Sequence, residues 1–233
     1  PVDHQQPADA VYREGKRIDN KRPDLRYEGC QLCVVEIEGR EGLYRACSTP
    51  AVEDMVIRTT SPRIEAFRRD RIMELAATHP HACLTCAQKD GCARFPCSTN
   101  IPELERCCSL FGRCEFRSVV EYVGLKPETP RYTFADLPII QNNSLIESNY
   151  NLCIGCTRCI RVCRDVCGIG ALDFVFNDHG RVMVGTVDTT LQESGCRFCM
   201  ACVEVCPTGT LREKESIEGE EPSGKRPISV PQK

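Results

Sequence analysis

CIGCTRCIRVC at residues 153–163 and CRFCMACVEVC at 196–206 share one spacing, C-x2-C-x2-C-x3-C, with Pro207 after the second run. A tight loop of this kind lets three thiolates grip three irons of one cubane, while the fourth cysteine, on the following helix, points to the other cluster. The pattern therefore predicts two 4Fe-4S clusters, one on Cys153, Cys156, Cys159 and Cys206, the other on Cys196, Cys199, Cys202 and Cys163. Zinc also takes four thiolates, but typically in paired C-x2-C knuckles rather than triplets. Gly155 and Ala201 are small where backbone must approach a sulfide. VCGIGAL at 166–172 parallels VCPTGTL at 205–211, which makes Cys167 a rival of Cys163; the x3 spacing favours Cys163. Between the two runs, ALDFVF and RVMVG flank Asn177–Gly180 and read as a hairpin.

The whole chain has 233 residues, with 19 Cys, 15 Pro and 16 Gly. That cysteine share means either a disulfide scaffold or a metal protein, and the Pro and Gly spread argues for small units without one large core. The sequence opens PVDHQQPADAVYREGKR, with no apolar signal region, and no stretch is long and apolar enough for a membrane span. A net charge of −3 suggests neither nucleic acid nor an acidic surface as target. A cytoplasmic, anaerobic setting without direct membrane insertion is the expectation.

Residues 1–29 are polar and nearly aperiodic, and read as an extended arm. From Cys33, CVVEIEG alternates, Gly39–Gly42 turns and LYRAC returns, so 33–47 reads as a hairpin with cysteines at its ends; Met55–Arg58 adds a short strand. Ser61-Pro62 with Glu65 is a helix start, and Ile64, Phe67, Met73 and Leu75 fit one face of a helix ending near His79-Pro80. His79, Cys83, Cys86 and Cys92 then give H-x3-C-x2-C-x5-C, which suits zinc or an iron-sulfur cluster, with His81 as the alternative histidine. A neutral imidazole in place of a thiolate removes one negative charge and raises the potential of such a cluster. Glu115–Val123 reads as a short helix closed by Gly124, and 126–143 as a linker. The segment from 213 to 233 is rich in Glu, Lys, Pro and Ser and reads as a tail.

GCQLCVVEIEG, ACSTPAVEDMVIRTTS, HPHACLTC, LCIGCTRCIRVC and ESGCRFCMACVEVCPTG, in this order, resemble an N-terminal iron-sulfur electron-transfer module. It is shared by the large iron-sulfur subunit of complex I, iron-only hydrogenases and NAD-linked formate dehydrogenases. The resemblance covers roughly Gly29 to Leu211. It implies an α+β chain: a degenerate β-grasp 2Fe-2S-type remnant at 30–62, a His/Cys cluster domain at 63–125, and a bis-4Fe-4S ferredoxin-like domain at 144–212. It further implies a 4Fe-4S cluster on His79, Cys83, Cys86 and a third cysteine.

Three features depart from that pattern. Cys30, Cys33 and Cys47 are three 2Fe-2S-type ligands, and the family's first cysteine and opening strands are missing before them. Asp19 could serve, a cysteine from elsewhere could complete the site, or the cluster is lost; a lost upstream segment would also account for the gap. An insertion of about 22 residues carries Cys97, Cys107 and Cys108 and leaves either Cys92 or Cys114 as the last ligand beside His79, since GRCEF at 112–116 resembles the family's ligand segment. The spare cysteines Cys97, Cys107, Cys108 and Cys114 form a further cluster or zinc site, or remain thiols. Finally, the sequence ends soon after Cys206, where the family continues into a catalytic domain.

No dinucleotide, P-loop or flavin pattern occurs, and no residue is assigned as acid, base or nucleophile. The expectation is a non-catalytic electron-transfer subunit between an NAD(P)H-flavin subunit and a separate catalytic subunit, that of a hydrogenase, in an assembly that could be electron-bifurcating. The same wire in a formate dehydrogenase complex, a free soluble polyferredoxin carrier and a zinc-binding scaffold are the competing readings.

Overall fold

The computed structural model describes residues 6–214 except 91, 93–96, 109, 112, 113, 127, 133–136, 138 and 142–144. Most of the expected tail, parts of the linker, and Gly91, Gly112 and Arg113 of the middle motifs therefore lie outside the described residues. The chain divides into two units, one from Pro1–Gly29 with Asp136–Lys233, the other Cys30–Ala135.

In the first unit, β1 (Ala10–Arg13) and β2 (Lys16–Asp19) form a hairpin, and β8 (Leu172–Phe176) and β9 (Val182–Thr186) form a second. They join in one antiparallel sheet of order β2-β1-β9-β8. This corrects the expected arm at 1–29. Glu14 and Gly15 both take positive φ between paired Arg13 and Lys16, the geometry that a two-residue hairpin turn needs. The inward face of β1 is Val11 and Arg13, both buried. β9 comes so close to β1 that a Cβ on Gly185 would stand 2.7 Å from the Tyr12 carbonyl oxygen.

The β8–β9 hairpin is closed as expected at Asn177, whose Oδ1 accepts from the amides of His179 and Arg181 at 3.1 and 2.8 Å. β6 (Ile139–Ile140), inside the expected linker, pairs with β7 (Ile146–Asn149), which pairs with β10 (Leu211–Glu213). The core joins Tyr150, Ile160, Leu172, Phe174, Phe176 and Val184; at about 2 kcal/mol for each fully buried large apolar side chain, this small cluster is the main apolar support of the cysteine loops.

In the second unit, β3 (Val34–Ile37) stands between β4 (Tyr44–Arg45) and β5 (Ile57–Arg58), as the alternation predicts. Helix α1 (Pro62–Ala77) begins where Ser61 Oγ accepts from the Ile64 amide at 3.2 Å with Pro62 in the first turn, a cap that contributes about 1 kcal/mol. Its buried face is Ile64, Ile72, Leu75 and Ala76; Phe67 and Met73 are only half-buried. Arg68 ties α1 to β3 by donating to the Val34 carbonyl at 2.8 Å. Helix α2 (Glu115–Val123) ends at Gly124, whose φ of 87° replaces a helical residue. Among the described residues no helix is long and apolar enough to cross a membrane.

Candidate metal centres

The two cysteine runs repeat in conformation as well as in sequence. Positive φ falls on Gly155 and Thr157 in the first and on Phe198 and Met200 in the second, two and four residues after the leading cysteine in each. Three of these four residues are not glycine. Such backbone costs on the order of 1–3 kcal/mol per residue and concentrates at sites that bind something. It turns an amide back on the leading sulfur, Gly155 N–H on Cys153 Sγ and Phe198 N–H on Cys196 Sγ, both at 3.4 Å. A Cβ on Gly155 would lie 3.0 Å from Val182 Cβ, so position 155 needs glycine for both its φ and its space.

Short helices α3 (Arg158–Arg161) and α4 (Ala201–Glu204) follow the loops, and a π-helical turn, Val162–Val166, continues α3. The chain thereby carries each fourth cysteine across. Cys153, Cys156, Cys159 and Cys206 line one cavity, and Cys196, Cys199, Cys202 and Cys163 line another. The donor sets suit cubanes: four thiolates each, with N–H donors aimed at sulfur and an apolar surround. Ala171 N–H points at Cys163 Sγ at 3.4 Å, and Thr208 Oγ1 stands 3.7 Å from Cys206 Sγ. Cys167 does not line the second cavity; its sulfur lies 4.0 Å from that of Cys199.

Burial dominates the electrostatics of these thiols. It pushes Cys159 well above the usual thiol range, with the neighbouring cysteines adding to it, and raises Cys202 to about 12. Burial raises Cys153 as well, but there Arg13 and Arg181 pull the other way. Arg13 is buried with its Nε donating to the Val184 carbonyl at 2.8 Å and its guanidinium 3.8 Å above the Tyr150 ring. Arg181 donates to the Cys153 carbonyl at 3.0 Å. At Cys196 and Cys202 burial is again foremost, the Phe198 and Val203 amides oppose it, and neighbouring cysteines add to it. Sequence reasoning missed Arg13; its only signal was a buried-face position, two residues after Val11, in a strand too short to show a period.

In the other unit Cys30, Cys33 and Cys47 come together at the ends of the β3–β4 hairpin. Burial raises Cys33, the Cys47 amide pointing at its sulfur opposes that, and the thiols of Cys47 and Cys30 raise it again. Asp19 lies in β2 of the first unit, where its carboxylate accepts from Arg17 Nε at 2.8 Å.

His79 follows α1 and is buried, 3% exposed. Its Nδ1 lies 2.8 Å from the Pro80 carbonyl oxygen. A carbonyl can only accept, so Nδ1 carries the proton and Nε2 presents the lone pair a metal needs. His81 Nδ1 meets the His79 carbonyl in the same way at 2.9 Å. Cys83 receives the Cys107 amide at 3.3 Å, while Cys107, pushed up by contact with Cys83 and by burial, also feels Cys108 and Cys114. Cys86 and Cys97 share the Thr99 hydroxyl, at 3.6 and 3.5 Å. Cys114 directly precedes α2, which sets Phe116 5.0 Å from the His79 ring. Among the described residues, no three His, Cys or acidic side chains close to single-ion geometry.

Residues 151–210 match the 4Fe-4S dicluster domain family, and 15–62 match the 2Fe-2S iron-sulfur cluster binding domain family. The chain is 32% identical over 206 residues to NADP-reducing hydrogenase subunit HndD of Solidesulfovibrio fructosivorans, covering 88% of this chain and 30% of that protein. It is 34% identical over 182 residues to the G 2 subunit of NADH-quinone oxidoreductase of Rhizobium meliloti (strain 1021), covering 78% and 19%. A third relative, NADPH-Fe(3+) oxidoreductase subunit alpha of Geobacter sulfurreducens (strain DL-1 / KN400), is 31% identical over 188 residues, covering 79% and 19%. The chain thus spans less than a third of the length of these relatives. In fold it is similar to a chain of a crystal structure of an NAD+-reducing [NiFe]-hydrogenase in the H2-reduced state, with a TM-score of 0.57 and 21% identity over 86% of this chain and 75% of that one. With its two iron-sulfur domains in this order, the chain belongs to the iron-sulfur electron-transfer module that NADH-quinone oxidoreductase shares with hydrogenase subunits such as HndD.

Proposed function

We propose that this chain relays single electrons through at least three 4Fe-4S centres, between a flavin subunit that handles NAD(P)H and a catalytic subunit of hydrogenase type. The observation that carries the reading is the exchange of fourth ligands, Cys206 with the first loop and Cys163 with the second, around two separate cavities. Ligands exchanged in this way hold two clusters close together, as a relay requires. Bound there, each cluster stores one electron at a time. The residues of the chain hold and tune it: four thiolates fix each centre, amides of Gly155, Phe198 and Ala171 offset charge on the sulfurs, and the apolar walls exclude water. His79, through Nε2, and cysteines of the 83–114 segment hold the third centre. The nicotinamide nucleotide enters through the relatives, whose names join hydrogenase, quinone and Fe(3+) reactions to NADH or NADPH.

The test is iron and acid-labile sulfide per chain after anaerobic purification, with a record of what co-purifies. Corrected for the clusters of any co-purifying chains, about 12 irons or more are expected, with flavin and catalytic chains in the same complex. Two further irons would put a 2Fe-2S centre on Cys30, Cys33 and Cys47. About 8 would overturn the His79 centre, and near zero the relay itself. A chain that purifies alone with its clusters intact would be a diffusing carrier.

A further inference from the structure

The parallel between VCGIGAL at 166–172 and VCPTGTL at 205–211 sets Thr208 and Thr210 opposite Ile169 and Ala171. Both threonines are buried, 3% and 4% exposed, and both line the cavity of Cys153, Cys156, Cys159 and Cys206. Ile169 and Ala171 line the other cavity. The first cavity thus has side-chain hydroxyls where the second has hydrocarbon.

Thr208 Oγ1 lies 3.7 Å from Cys206 Sγ and 2.7 Å from Thr210 Oγ1, and accepts from the Thr210 amide at 3.4 Å. A threonine hydroxyl has one proton and two acceptor positions. A cysteine that holds iron is a thiolate and has no proton to give. The contact with Cys206 therefore uses the Thr208 proton. With that proton committed, Thr208 can only accept from the Thr210 hydroxyl, and the amide and hydroxyl of Thr210 fill its two acceptor positions. One orientation remains, from Thr210 to Thr208 to Cys206. The Thr210 carbonyl accepts from the Asn149 amide at 2.7 Å, which ties the far end of the chain to β7.

We propose that this hydroxyl chain raises the reduction potential of the centre on Cys153, Cys156, Cys159 and Cys206, with Thr208 as the donor to its crossing sulfur and Thr210 as the residue that orients and strengthens that donor. The inference rests on the relay reading and deepens it. Reduction adds negative charge to the cluster and its sulfurs, so a donor fixed on one of them stabilises the reduced form more than the oxidised one. Hydrogen bonds in series polarise one another, so the second hydroxyl adds to the first. At Cys163 the donor is the Ala171 amide, a main-chain group. At Cys206 it is a side chain, which a substitution can remove without touching the ligands.

The experiment is an EPR-monitored redox titration, with iron per chain and a thermal melt, of wild type, Thr208→Val, Thr208→Ser and Thr210→Val, each purified anaerobically as the full chain in whatever complex it forms. Cys153→Ser assigns the signal of the first centre as the one it abolishes or alters. Thr208→Val should lower the potential of that centre and leave the centre on Cys196, Cys199, Cys202 and Cys163 unmoved; Thr208→Ser should stay near wild type, and Thr210→Val should shift the same centre in the same direction by less. An unchanged potential in Thr208→Val with its irons in place, an equal shift at both centres, or a serine variant that behaves like valine overturns the proposal. A lowered melting temperature without a shift in potential would make the threonines packing residues only. If Thr208→Val loses the cluster, Thr210→Val decides, since it leaves the Cys206 contact in place: no shift there overturns the proposal. Two intact centres with unmoved potentials would remove the tuning and leave the relay, whereas a wild-type chain with no signal that responds to Cys153→Ser would overturn both.

Discussion

Replacing Arg13 by methionine should lower the reduction potential of the centre on Cys153, Cys156, Cys159 and Cys206 and leave that on Cys196, Cys199, Cys202 and Cys163 nearly unchanged. Arg13 is buried over Tyr150, which lines the first cavity, and its charge acts on Cys153. Burial also lowers the pKa of the guanidinium, yet arginine stays charged at any working pH. A fixed positive charge stabilises a cluster more after it has gained an electron, so its removal makes reduction harder. A unit charge about 10 Å away in a medium of effective dielectric about 20 is worth about 1.7 kcal/mol, or about 70 mV for one electron. Methionine keeps an unbranched stem to cover Tyr150 without the charge, while Arg13→Lys keeps a charge and should restore most of the potential. The assay is a redox titration followed by EPR, with the two centres resolved by their signals. Equal shifts at both centres, or no shift with the clusters intact, would refute the electrostatic reasoning. A lysine variant that behaves like methionine would trace the effect to packing.

Gly185→Ala should destabilise the first unit by about 3 kcal/mol, the upper end for overpacking, because the added Cβ meets the Tyr12 carbonyl and the Val11 side chain within 3 Å. A thermal melt unchanged from wild type would show that β1 does not dock there. Cys163→Ser should cost the chain about four irons and Cys167→Ser none, since Cys163 lines the cavity and takes the Ala171 amide; the reverse outcome would exchange their roles. Asp173→Asn should stabilise the chain at pH 7 and lose that advantage in acid. Burial holds the Asp173 carboxyl above its ordinary range, against the Phe174 amide and Arg164. A folded pKa above the unfolded one means stability that is complete below the unfolded value and is lost as pH rises through the folded one. Denaturant melts from pH 3 to pH 7 should show the two proteins diverging upward, and parallel curves would contradict the assignment.

The sequence is legible where side-chain spacing alone sets the structure. The cysteine runs, the Ser61 cap, the β3–β4 and β8–β9 hairpins and the Gly124 stop are each written in residues that have one local use. The β1–β2 hairpin was illegible for a physical reason. Its turn is Glu14-Gly15 rather than Asn-Gly, β2 is largely exposed, and the second inward residue of β1 is a charged arginine, which hides the period-two signal. What buries Arg13 is tertiary: the Val184 carbonyl and the Tyr150 ring come from about 140 to 170 residues downstream. The middle cysteines show the same limit. Spacing groups Cys83 with Cys86 and Cys92; the contacts of Cys83 with Cys107, and of Cys86 and Cys97 with Thr99, come across an insertion whose path no local rule specifies.

The hairpin also bears on the missing 2Fe-2S ligand. The residues before Cys30 where the resemblance looks for a fourth cysteine and opening strands do form strands, but these extend the ferredoxin sheet, with Asp19 at the edge on β2 and held by Arg17. What the hairpin supplies is a buried cation over Tyr150, which lines one cavity of a pair alike in spacing, loop conformation and the amide at each leading sulfur. Two sites so alike in their loops can differ in potential through what lies outside the repeat. Arg13 and Arg181, which act on Cys153, are one such difference; the groups acting on Cys196 are the Phe198 amide and the thiols of Cys163 and Cys199.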